Sequence, residues 1–192
     1  GAFLKETILP APYAPFFTHL IMCAFLCLSA IVTAKLLNFS NFYAGIFSIL
    51  CISFPSLFYQ ADFAMQSDAV GIGMFFGVIS SCFIVTALEN KTSRSDFIIK
   101  MSMSVIFYCL SISVYQSLFT TGIGITILFY AKKYFENEKK LNSIKILYLF
   151  IWCVLSFFSY VALTKFIQLY LNIPGSSYLF NQVGWFNKPN DV

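Results

Sequence analysis

Long apolar runs alternate with short polar interruptions along the whole chain. The first run covers about 16–37 and closes on the tight turn Asn38-Phe39-Ser40-Asn41. A second, of about 42–58, leads into a mixed stretch holding Tyr59, Gln60, Asp62, Gln66 and Asp68. The third covers about 69–88 and stops at the polar loop Glu89-Asn90-Lys91-Thr92-Ser93-Arg94-Ser95-Asp96. From 97 to 131 the chain is again mostly hydrocarbon. A tilted helix needs ~20 residues to cross a bilayer core, so this stretch is too long for one crossing and short for two. Dividing it at Tyr115-Gln116-Ser117 predicts helices over 97–114 and 118–131. A second polar loop, 132–145, precedes a sixth run of about 146–166, and a tail rich in turn formers follows over 167–192. Ahead of the first run, Pro10, Pro12 and Pro15 predict an irregular or interfacial segment, ending where Pro15 can open a helix. The pattern predicts one all-α polytopic membrane domain over 1–192, with about six transmembrane helices.

Composition supports that reading. Charged residues make up 10% of the chain and hydrophobic ones 59%, whereas a soluble domain carries about 25% charged residues. Such a surface is solvated by lipid. The net charge of +4 is too small to suggest nucleic acid. Nine of the twelve basic residues fall in few places: Lys35 closes the first run, Lys91, Arg94 and Lys100 flank the first polar loop, and Lys132, Lys133, Lys139, Lys140 and Lys145 mark the second. No lysine or arginine lies in the stretches after runs two and four. Lysine and arginine favour the cytoplasmic side, so the amino-terminal segment and the tail are both expected outside.

Within the helices, Gly73-x-x-x-Gly77 allows a neighbouring backbone to approach closely, and packing inside one bundle is the simpler use of it. Gly122 and Gly124 suggest the same in the fifth run. Asp96/Lys100 and Glu136/Lys140 stand at i,i+4, a spacing that stabilises helix ends facing water. All six cysteines lie in apolar runs without metal or redox spacing, so neither a disulfide nor a metal site is expected. The sequons at Asn38 and Asn90 fall on the expected inner side and read as chance matches. Residues 1–15 lack the charged segment and cleavage site of a signal peptide, and the start at Gly1 suggests a processed or truncated product.

The outer side gathers the sparse polar groups: His19, Tyr59, Gln60, Asp62, Gln66, Asp68, Tyr115, Gln116, Lys165, Gln168 and the tail from Asn172 to Asp191. Asp62 and Asp68 are six apart and share no helical face, but a turn can bring them together. Either carboxylate can accept a proton or bind sugar hydroxyls if its pKa is raised; equally, both can be solvated loop acids. Tyr115 and Gln116 occupy a break where Gly, Pro or Asn would be usual. They suit a sugar ring and its hydroxyls, or an aromatic belt with a satisfied amide beside it. His19, with no partner evident in the sequence, reads as interfacial or substrate-binding. Lys165 and Gln168 can meet a phosphate, or Lys165 can simply snorkel. Nucleotide loops and nucleophile elbows are missing, which argues against cytosolic nucleotide-sugar chemistry and for no cofactor.

Phe54-Pro55 leading into an outer acidic turn, and Ser113-Val114-Tyr115-Gln116 breaking a long apolar run, resemble the type II O-antigen glucosyltransferases, polytopic bacterial inner-membrane enzymes. The resemblance spans most of the chain. It implies a fold similar to C-superfamily membrane glycosyltransferases. It also implies transfer of glucose from a polyprenyl-phosphate donor to lipopolysaccharide O-antigen, or a similar glycan, on the periplasmic side. Members of that superfamily place essential acids in a large first extracytoplasmic loop after an amino-terminal helix. This chain has neither, and Gly1-Ala2-Phe3-Leu4 stands where such a loop would return. It therefore reads as the carboxy-terminal part of an enzyme or a truncated relative, in which Asp62 would play a supporting part.

Three functions compete. An enzyme predicts an outward cavity lined by Asp62, Tyr115 and Gln116. A non-catalytic scaffold or accessory subunit leaves these residues scattered. A lipid-linked sugar flippase or transporter needs mid-membrane polar groups and an internal repeat, and neither is visible. The enzyme ranks first.

Overall fold

The computed structural model describes residues 15–52, 67–90, 93–136 and 142–170. Of these residues 93% are helical, and no strand occurs among them. The helices are α1 (Pro15–Leu36), α2 (Asn41–Ile52), α3 (Ser67–Glu89), α4 (Arg94–Val114), α5 (Phe119–Phe135) and α6 (Ser143–Tyr170), with a 3₁₀ turn at Gln116–Leu118. Four of them, α1, α3, α4 and α6, are long and apolar enough to cross a membrane. As described, α2 and α5 are shorter. The chain is an all-α membrane protein.

The ends of these helices follow from local chemistry. Ser93 caps α4 by accepting a hydrogen bond from the Asp96 N–H, and Asp96 puts negative charge in the first turn, where the helix dipole favours it. The α1–α2 reversal passes through Asn38 at φ 49°, a left-handed conformation that asparagine tolerates better than most residues. There the Asn38 N–H donates to Lys35 O and the Phe39 N–H to Ala34 O.

α3 sits at the centre, packed on α1, α4 and α5, while α6 lies mainly against α4. Small residues and serines make these contacts. A Cβ on Gly71 would lie 2.9 Å from Met22 Cα, so the α1 and α3 backbones touch there. Gly73 and Gly77 face α4 and the start of α5 rather than a second copy of the chain. The Ser80 and Ser104 hydroxyls each donate to the other's backbone carbonyl at 2.7 Å, Ser111 Oγ donates to Gly73 O at 2.7 Å, and Ser81 Oγ donates to Gly122 O at 3.0 Å. Tyr108 stacks between Trp152 and Phe119 at the core.

Lipid offers hydroxyls no alternative partner, and interhelical hydrogen bonds in membranes are worth up to ~2 kcal/mol. Ser111→Ala is expected to lower stability by about 1 kcal/mol. Ser113→Ala should be near neutral, since Ser113 Oγ donates only to Cys109 O of its own helix. Unfolding titrations in mixed micelles check the difference.

At one end of the bundle the basic residues are tied to specific partners. Glu89, the last residue of α3, accepts from Lys133 of α5 and Lys145 at the start of α6, both at 2.7 Å. Lys132 Nζ donates to Leu37 O, next to the α1 end, lies 5.4 Å over the Phe39 ring and pairs with Glu136 at 3.3 Å. Asp96 and Lys100 pair at 2.9 Å as the spacing suggests. Lys140, the other expected partner of Glu136, lies outside the described residues. A polar run that reads in sequence as a solvated loop thus contributes a clasp joining three helices.

Candidate functional site

The opposite end holds the break between α4 and α5. Its sequence contains no conventional turn former, and tertiary contacts close it. Tyr115 is extended (φ −155°, ψ 124°) and its N–H reaches back to Ser111 O. Leu118, 6% exposed, fits over Gly73, where an added Cβ would meet it at 2.5 Å. The Tyr108 hydroxyl donates to Phe119 O, and its ring fills the hollow left by Gly122. The corner leaves Tyr115 41% exposed. Gln116 Nε2 donates to the Tyr160 hydroxyl of α6 at 2.9 Å.

Tyr160 belongs to a row on α6 formed by Ser156, Tyr160, Thr164 and Gln168. Residues four apart share a helix face, and at 156, 164 and 168 the row is more buried than the residues on either side. From Tyr160, α6 continues for about 15 Å to Tyr170. It stands as a post beside the break, with Gln168 on the row above Gln116. Lys165 is off the row and exposed.

His19 and Asp68 come to one level. Gly71 meets Met22, and Phe75 meets Phe25 at 5.5 Å between ring centroids, so α1 and α3 run parallel in a fixed register. Counting one turn back from Met22 and from Gly71 reaches His19 and Asp68. Gly73 abuts Val114, the last residue of α4. Asp68, in the first turn of α3, therefore lies about 7.5 Å along the helix axis beyond the level of the break. Tyr59, Gln60 and Asp62 lie outside the described residues, so the cavity expected of Asp62, Tyr115 and Gln116 is described only on its Tyr115–Gln116 side.

An apolar cavity of about 510 Å³ runs between α1, α2, α3 and α5. Its wall includes Ala30, Met74, Val78, Gly124 and Leu128, and it reaches Thr120 and Thr121, immediately after the break. The wall hydroxyls of Ser29, Thr33 and Thr120 donate to carbonyls of their own segments, leaving the lining apolar in character. Gly124 was grouped in sequence with the packing glycines, but a Cβ there meets nothing within 4 Å. It keeps this cavity open.

Sequence reasoning missed Tyr160 and Thr164, although hydroxyl or amide groups at 156, 160, 164 and 168 of an apolar helix were a visible signal. It also missed Glu89, whose role depends on lysines 44 and 56 residues away.

Apolar crossing helices, a basic end and an opposite end bearing amide, phenol, imidazole and carboxylate groups define a membrane protein suited to a polar substrate at one bilayer surface. Residues 2–189 match the family model described as Glucosyl transferase GtrII, and the chain belongs to that family. It is a glycosyltransferase by membership. No curated protein and no solved structure matches the chain.

Proposed function

We propose that the chain moves glucose from a polyprenyl-phosphate donor to O-antigen or a similar surface glycan, working at the Tyr115–Gln116 end on the periplasmic face of a bacterial inner membrane. The observation that carries the lipid-linked donor is the 510 Å³ apolar cavity ending beside the break at Thr120. An isoprenoid tail suits that lining, and its phosphate would then lie near the polar groups of the corner. The lysines gathered at the other end support the orientation.

In this reading Asp62 or Asp68 accepts the proton of the acceptor hydroxyl as its oxygen attacks the anomeric carbon. The bond from that carbon to the polyprenyl phosphate breaks, and the phosphate leaves with the electron pair. Lys165 and Gln168 stand on the α6 post to meet the phosphate. Tyr115 offers a face for the sugar ring, while Tyr59, Gln60, Gln116 and His19 offer hydrogen bonds to its hydroxyls.

Gly124→Phe tests the donor assignment. The ring enters open space, so the fold should survive while the groove is blocked. We expect KM for the lipid-linked donor to rise about tenfold, the loss expected from removing ~55 Å² of apolar contact, with little change in KM for the acceptor glycan. An unchanged donor KM in stably inserted protein would remove the cavity from the mechanism.

A further inference from the structure

We infer a second lipid site, opening at the lysine-bearing end and sharing part of its apolar wall with the donor cavity, that takes a phospholipid bearing a primary-ammonium zwitterionic headgroup. A pocket of about 620 Å³ lies against the α1–α2 turn and the end of α5. Its floor is apolar, through Ile46, Phe47 and Leu50, and the last two also line the donor cavity. Its mouth carries Asn38, Ser40, Tyr43, Lys132 and Glu136.

The mouth lies at headgroup depth. Phe42, Tyr43, Tyr134 and Phe135 are 63–80% exposed around it, as aromatic residues are at a membrane–water boundary. Among the described residues its charged lining is one ammonium and one carboxylate, 3.3 Å apart. Lys132 directs hydrogens to Leu37 O and Glu136, and an ammonium carries three. The ammonium, 27% exposed, together with the Asn38 amide and the Ser40 and Tyr43 hydroxyls, suits a phosphodiester. Glu136, at the α5 C-cap and 49% exposed, suits an ammonium. An anionic glycerol headgroup would gain Lys132 but face the Glu136 carboxylate. A quaternary choline would offer Glu136 no hydrogen-bond donor. Phosphatidylethanolamine satisfies both charges, and one acyl chain can lie along Ile46, Phe47 and Leu50.

The test uses the full chain, purified in detergent and exchanged into micelles containing equal amounts of phosphatidylethanolamine and phosphatidylglycerol with matched chains. Native mass spectrometry then counts the lipids retained. Wild type should retain the ethanolamine lipid about threefold over the glycerol lipid, the discrimination an exposed ion pair supplies. Glu136→Gln should abolish or invert the preference. This variant should fold normally, because the ion pair it removes is partly exposed and joins only the last turn of α5 to its own C-cap. Equal retention of the two lipids by wild type would overturn the site. So would an unchanged preference in Glu136→Gln, or retention of neither lipid because the chain itself fills the pocket.

Discussion

Valine at Gly71 should leave almost no stably folded protein in the membrane. An ordinary helical glycine gains from a side chain, since glycine costs about 1 kcal/mol relative to alanine. At Gly71 the added Cβ would stand 2.9 Å from Met22 Cα and 3.0 Å from Met22 O. Both are backbone atoms of a packed helix and have no rotamer to escape into. α1 would have to move off α3, which would open the contacts around Phe25 and Phe75 and disturb the level shared by His19 and Asp68. Overpacking of this kind costs about 3 kcal/mol or more when the backbone must give way. Gly45→Ala is the control, because nothing lies within 4 Å of a Cβ there. Membrane-fraction yield and thermal unfolding of the two variants should diverge strongly. Comparable yields would mean that α1 and α3 do not pack as described.

The second large effect is on activity. Asp62→Asn should reduce glucosylation of the surface glycan by about 10²–10⁴-fold, the usual contribution of a positioned general base. Asp68→Asn should cost less, and Gln116→Ala about tenfold through one lost hydrogen bond to substrate. The readout is glycan glucosylation in cells, with the amount of variant in the membrane measured alongside. Normal glucosylation in both aspartate variants would take both carboxylates out of the chemistry. Loss in Asp68→Asn alone would move the base to the first turn of α3, level with His19.

Much of the fold was legible because hydrophobic length is a strong signal in a membrane protein. The split of the long apolar stretch at Tyr115-Gln116-Ser117 falls where α4 ends and the 3₁₀ turn begins. The reason for that break was not legible. Leu118 over Gly73 and the Tyr108 hydroxyl on Phe119 O hold the corner closed; the first joins positions far apart in sequence, and the second spans the break itself. The candidate site shows the same division. Its residue types stood out against hydrocarbon, yet nothing in the sequence paired Gln116 with Tyr160 or set His19 level with Asp68.

The sequence by itself determined the number and approximate place of the apolar runs, the separation of a basic end from an end of sparse polar groups, and the resemblance that family membership upheld. Burial of backbone polar groups in lipid forces those runs to be helices whatever they pack against. Tertiary structure decided which faces meet. A helix apolar on all sides carries no amphipathic stripe to say where its neighbours lie. Only the packed bundle distinguishes Gly71 and Gly73, closed by neighbouring atoms, from Gly124, open to a cavity. Only the bundle turns Glu89 from a loop acid into the partner of two lysines.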